Sequence, residues 1–167
     1  ESVDKALALA EAIAAGGVTV LEVTMTVPGA IQVMRKLAER RPDILIGAGT
    51  VLDCASVDRL AATGARLLVA PNADPAVIGR ALEQGLEGIP GFVTPSEALT
   101  AIAAGARHLK LFPARALGPA YLEALREILP DDTHVWAVGG IDQRNMEAWF
   151  AAGAKGIGLG SALYRRG

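Results

Sequence analysis

A chain of 167 residues with 51% hydrophobic and 20% charged side chains can pack one domain and is too apolar for a disordered segment. A net charge of −2 with 4% aromatic residues sets aside a nucleic-acid binder, which shows a basic surplus and aromatic platforms. One cysteine, Cys54, and two histidines, His108 and His134, exclude an intrachain disulfide framework and leave little for a metal site. Mean hydropathy is +0.35, yet no apolar run reaches the ~18 residues of a membrane helix. With no signal peptide legible at the amino end, a cytoplasmic protein is expected.

The elements alternate. A helix is expected over Val3–Ala15, then a strand over Val18–Met25 and a helix over Gly29–Arg41. Strand Ile44–Ala48 and helix Ala55–Thr63 follow, the helix preceded by Asp53 as a capping residue. Strand Leu67–Ala70, helix Pro75–Gln84 and strand Leu86–Ile89 come next. Helix Pro95–Ala104, starting on Pro95-Ser96-Glu97, leads to strand His108–Phe112. Helix Pro119–Leu129, strand His134–Val138, helix Asn145–Ala152 (with Asp142 as its start signal) and strand Gly156–Leu159 complete the series. Ser161–Arg166 reads as a helix cut short. Three helices end in the same way, at Ala62-Thr63-Gly64-Ala65, Ala103-Ala104-Gly105-Ala106 and Ala151-Ala152-Gly153-Ala154. Glycine suits the left-handed position just past a helix.

Strands alternating with helices, with a weak internal repeat, indicate a parallel α/β fold. An open doubly wound sheet and a closed (β/α)8 barrel both satisfy that pattern. Seven strands are legible, and the chain opens on a helix with no strand before it. One strand lost at the amino end would make the eight of a barrel. The expectation is therefore a single domain over residues 1–167: a (β/α)8 TIM barrel lacking the first strand and most of the last helix.

In such folds the site lies beyond the carboxy ends of the strands. The strand His108-Leu109-Lys110-Leu111-Phe112 places His108, Lys110 and Phe112 on one face and the two leucines on the other. A buried ammonium is desolvated, which favours the neutral amine, and a neutral amine attacks carbonyls. The alternative is a lysine that snorkels to the strand rim. On Val20-Leu21-Glu22-Val23-Thr24-Met25, Glu22 shares a face with Thr24 and Thr26. A buried Glu22 would act as a general acid–base with a raised pKa, or be held in a structural ion pair, for instance with Lys110.

Two glycine-rich strand ends, Val138-Gly139-Gly140-Ile141 and Leu159-Gly160-Ser161, occupy the positions where barrels often bind phosphate. Tight turns alone would also require those glycines. Thr50, in Gly47-Ala48-Gly49-Thr50, can present a hydroxyl to a carboxylate, or merely start a helix. Pro71 and Pro90 follow strands and can simply stop them. Cys54 reads as bulk near a helix start, His108 as structural and His134 as exposed.

Several motifs recur together in order: Glu22-Val23-Thr24, Ile46-Gly47-Ala48-Gly49-Thr50-Val51-Leu52, Ile89-Pro90-Gly91 with Thr94-Pro95-Ser96-Glu97, Leu109-Lys110-Leu111-Phe112-Pro113-Ala114, and Gly139-Gly140-Ile141. Over nearly its whole length the chain resembles the class I pyruvate aldolases that cleave 2-keto-3-deoxy-6-phosphogluconate or its galactonate epimer. The resemblance implies a (β/α)8 barrel, a homotrimer, a phosphorylated keto acid substrate and no metal or cofactor. It implies Lys110 as the Schiff-base residue and Glu22 as the proton-transfer residue. It further implies Thr50 at the pyruvyl carboxylate, Pro71 lining the site, and Gly139, Gly140, Gly160 and Ser161 at the phosphate. Thr26 stands where many gluconate-type enzymes have arginine, which leaves carboxylate binding short of a cation. Val138 stands where many of them have threonine and galactonate-type enzymes have valine. Leu117-Gly118-Pro119 and the tail from Gly160 to Arg165 also resemble the galactonate type. The galactonate epimer is the expected substrate, with use of the gluconate epimer compatible. A barrel epimerase or isomerase acting on a phosphosugar, or an inert barrel fragment serving as a scaffold, are the alternatives.

Overall fold

The computed structural model describes residues 3–163. Contacts divide the chain into two compact units, Glu1–Ala70 with Asp74–Gly88, and Pro71–Ala73 with Ile89–Gly167.

In the first unit, helix α1 (Val3–Ala15) precedes strand β1 (Val20–Thr24), helix α2 (Ala30–Arg40), strand β2 (Leu45–Gly49), helix α3 (Cys54–Ala61), strand β3 (Leu67–Val69), helix α4 (Pro75–Glu83) and strand β4 (Glu87–Ile89). The strands form one sheet in the order β1-β2-β3-β4. β2 pairs in parallel with β1, Glu22 opposite Gly47 and Thr24 opposite Gly49, and with β3, Gly47 opposite Leu67. α2 buries Ala30, Val33, Met34 and Leu37, the spacing of a single helical stripe, in a core shared with Leu7 and Ala10 of α1 and Ile46 and Ala48 of β2. The Asp53 side chain accepts from the Ser56 N–H at 2.7 Å, and Asp74 caps α4 ahead of Pro75.

The second unit holds strand β5 (Gly91–Phe92), helix α5 (Pro95–Ala103), strand β6 (His108–Leu111), the short helix α6 (Ala114–Leu117), helix α7 (Pro119–Arg126), strand β7 (His134–Val138), helix α8 (Met146–Ala151) and strand β8 (Gly156–Gly158). Its sheet is parallel in the order β5-β6-β7-β8. Leu109, Leu111, Val135 and Ala137 are fully buried, as are Ala98 of α5 and Leu122 of α7, and Trp149 of α8 is nearly so. Thr94 and Glu97 cap α5 reciprocally, each side chain bonding the other's backbone N–H.

The expected helices and strands are all present except at the carboxy end, most with bounds shifted by one to three residues. Three differences have physical reasons. The structure adds β5, a two-residue strand that sequence periodicity cannot register. It follows Pro90, which has no N–H to donate but whose carbonyl accepts from the Lys110 N–H at 2.8 Å. Asp142 does not start α8. Its carboxylate accepts from the Arg144 N–H in a turn, and Asn145 precedes the helix. Residues 161–163 are a turn rather than helix, and the rest of the expected terminal helix lies outside the described residues. No described helix is long and apolar enough to cross a membrane.

Candidate active site

Parallel pairing sends the carboxy ends of β6, β7 and β8 to one end of the second sheet. Lys110 sits near that end. Its neighbours Leu109 and Leu111 are fully buried, and alternation turns Lys110 to the opposite face. The lysine retains only 8% of its exposure. Its Nζ lies 4.8 Å from the centroid of the Phe112 ring, close enough for cation–π attraction. In register beside Lys110 are Gly91 on β5 and Trp136 on β7, and Trp136 is followed by Gly156 on β8. The Trp136 indole lies over Gly156, where any Cβ would collide with it. Its Nε1 donates to His108 Nδ1 at 3.0 Å, which anchors the ring toward the amino end of the strands. His108 thus has the structural role expected of it. His134 is half-buried against it, with ring centroids 5.0 Å apart, rather than exposed, because in-register pairing places the two histidines side by side.

The glycine pair follows β7 directly. Val138 is half-buried at the strand end, and Gly139 and Gly140 both take positive φ, 99° and 77°. The Phe112 ring passes 3.1 Å from a Cβ built on Gly139, so the aromatic beside Lys110 also touches the glycine pair. The Gly139 carbonyl accepts from the Arg115 N–H at 3.0 Å, and the Asn145 side chain donates to the Gly140 carbonyl at 2.9 Å. Asp142, two residues on, holds Arg144 at 2.6 Å. That bond is the main reason its carboxyl stays below the usual range, with the Arg144 N–H adding to it. Gly160 and Ser161 are exposed in the turn after β8. Pro71 is half-buried, and the next residue, Asn72, accepts from the Gly91 N–H at 3.2 Å. Sequence reading missed Arg115. Its only signal is spatial, since it follows β6 and meets a glycine that follows β7.

In the first unit, Glu22 lies midway along β1 and Thr50 directly follows β2. The Glu22 carboxylate occupies the space that a Cβ on Gly49 would fill, which explains glycine at that position. Glu22 is nevertheless exposed, contrary to the burial expected from its apolar strand. The residues opposite Glu22 and Thr24 on β2 are the glycines Gly47 and Gly49, which cover little. Thr24 and Thr26 share a hydroxyl contact of 2.9 Å. Thr50 has φ +59°, the one described residue other than glycine in the left-handed region. A β-branched side chain strongly disfavours that conformation. It is enforced by β2 pairing on one side and, on the other, by fully buried Val51, whose N–H donates to the Val69 carbonyl. Such enforced strain is characteristic of functional positions. Cys54 opens α3 half-buried, its Sγ 3.6 Å from the Ala76 carbonyl, as a packing residue would be.

A buried lysine at a strand end, with an aromatic ring and a glycine pair near it, is chemistry for a carbonyl and an anion. The family model for KDPG and KHG aldolase matches residues 1–167. The chain belongs to that family. It is 44% identical over 165 residues to the 2-dehydro-3-deoxy-6-phosphogalactonate aldolase of Escherichia coli strain K12, an alignment covering 98% of this chain and 80% of that protein. The native KDPGal structure superposes with a TM-score of 0.96 at 43% identity, covering 100% of this chain and 82% of that one. KDPG aldolase from Legionella pneumophila, solved with pyruvate captured as a covalent carbinolamine, gives 0.87 at 33% identity, covering 94% of this chain and 77% of that one. These matches put the chain in the (β/α)8-barrel class expected from its sequence, nearer the galactonate than the gluconate type.

Proposed function

We propose that this aldolase cleaves 2-dehydro-3-deoxy-6-phosphogalactonate to pyruvate and D-glyceraldehyde 3-phosphate through a Schiff base on Lys110. The observation that carries the reading is the 8% exposure of Lys110 at a strand end, next to an aromatic ring and a glycine pair. A lysine removed from water is the nucleophile that class I chemistry needs.

The Lys110 amine adds to the C2 ketone to form a carbinolamine, and loss of water leaves an iminium. Glu22, directly or through water, removes the C4 hydroxyl proton. The C3–C4 pair flows into the iminium, releasing the aldehyde. The enamine is then protonated at C3, with Glu22 as donor, and hydrolysis returns pyruvate and free lysine. Thr50 is assigned to the pyruvyl carboxylate, Pro71 and Val138 to the walls of the site, and Gly139, Gly140, Gly160 and Ser161 to the phosphate. Thr26 supplies no cation for the carboxylate, so Thr50 carries more of that contact. Val138 discriminates weakly between epimers that differ in the handedness of one hydroxyl, and some gluconate activity is expected.

Borohydride reduction with pyruvate, followed by peptide mass spectrometry, tests the reading. A reduced pyruvyl adduct on Lys110, absent in Lys110→Arg, supports it. A folded protein that forms no adduct overturns it. The proposed state is a cytoplasmic homotrimer whose residues 1–167 make one domain. Sedimentation and a single calorimetric unfolding transition would check the assembly and the domain.

A further inference from the structure

We propose that Arg115 binds the terminal phosphate of the keto acid and determines the preference for phosphorylated over unphosphorylated substrate. The proposal rests on the reading of Gly139 and Gly140 as a phosphate loop and adds to it the cation that the glycines lack.

Two independent contacts fix Arg115 there. Its backbone N–H donates to the Gly139 carbonyl at 3.0 Å. Its side-chain stem lies across Gly140, with Cβ and Cδ each 2.6 Å from the position a Cβ on Gly140 would take. The stem therefore lies against Gly140, on a residue that follows β6 beside the glycine pair that follows β7. Glycine at 140 serves two needs, a φ of +77° and room for this arginine.

The charge is also available. Arg144, the other cation nearby, is held by Asp142 at 2.6 Å. Among the described residues the Arg115 side chain enters no ion pair or hydrogen bond, and it is exposed. A planar guanidinium offers paired donors that match two phosphate oxygens, which lysine cannot reproduce. Phe112 links this anion position to the chemistry, since its ring touches both Lys110 Nζ and the glycine pair.

Arg115→Gln keeps most of the stem and removes the charge. Steady-state kinetics with the phosphorylated keto acid are expected to show KM raised roughly ten- to a hundredfold, the range for losing a charged hydrogen bond, with kcat changed far less. The ratio of kcat/KM for phosphorylated over unphosphorylated keto acid falls by the same factor, and Arg115→Lys lies between. Unchanged KM and ratio in a folded Arg115→Gln overturn the proposal. A second measurement does not depend on turnover. Inorganic phosphate is titrated into the parent and Arg115→Gln while the Gly139 and Gly140 amide resonances are followed. At least tenfold weaker phosphate binding in the variant supports the assignment, and equal binding overturns it. Absence of a pyruvate adduct in the parent would defeat the aldolase reading alone, leaving this titration to decide Arg115.

Discussion

The Glu22 carboxylate lies where the side chain of residue 49 would begin, so glycine at 49 is a condition for the position of the carboxylate. The overlapping atoms are Oε1, Cδ and Cγ of one exposed side chain, with no backbone atom among them. Gly49→Ala is therefore expected to fold with a stability loss below about 1 kcal/mol while displacing the proposed proton-transfer group. Activity should fall at least tenfold with little change in Tm. Gly47→Ala should do the reverse. A Cβ there meets the Leu67 carbonyl oxygen at 2.8 Å and Leu67 Cβ at 2.6 Å, and backbone cannot swing aside. We expect a loss of roughly 1–3 kcal/mol in denaturant unfolding. Equal Tm for the two variants would contradict the assignment of space around Glu22.

Thr50 holds a φ of +59° that glycine would adopt freely. The left-handed cost for a side-chain-bearing residue is about 1–2 kcal/mol, against about 0.4–1 kcal/mol of added unfolded-state freedom for glycine. Thr50→Gly should thus be as stable as the parent or slightly more stable in urea unfolding. If the hydroxyl binds the pyruvyl carboxylate, the KM for keto acid rises in the same variant. Stability lost together with activity would mean that the threonine serves packing instead.

Glu97 accepts from the Thr94 and Val93 N–H groups at 2.8 and 2.9 Å, and these bonds hold its carboxyl below the usual range. A carboxyl depressed in the folded state contributes stability above its unfolded pKa. That contribution is lost as pH falls through the lower folded value. Glu97→Gln should therefore be less stable than the parent near neutrality, with the difference shrinking as acid protonates the parent. Thermal melts between pH 7 and pH 3 would read the convergence. A difference independent of pH would show that the capping bonds do not depend on the charge.

Much of this arrangement was legible before any coordinates. The Ala-x-Gly-Ala endings, the start signals at Asp53 and Pro95-Ser96-Glu97, and the position of Lys110 between two leucines are local patterns. Local chemistry enforces them: glycine for left-handed φ, carboxylates for orphan N–H groups, alternation for the faces of a strand. Gly64, Gly105 and Gly153 take φ of 83°, 102° and 92° as their endings require. The short strand β5 was not legible, because two residues carry no periodicity and only pairing with β6 defines them.

The sequence by itself determined the alternating α/β elements, the strand face that Lys110 shares with His108 and Phe112, and the resemblance that its motifs carry. All of these depend on residues near one another in the chain. Tertiary structure alone decided the rest. It set Glu22 opposite a glycine of the neighbouring strand, placed His134 against His108, and laid the stem of Arg115 over Gly140. The physical reason is register. Which side chains of parallel strands meet depends on pairing between segments some 20 to 30 residues apart, and one residue of slip turns every side chain to the other face.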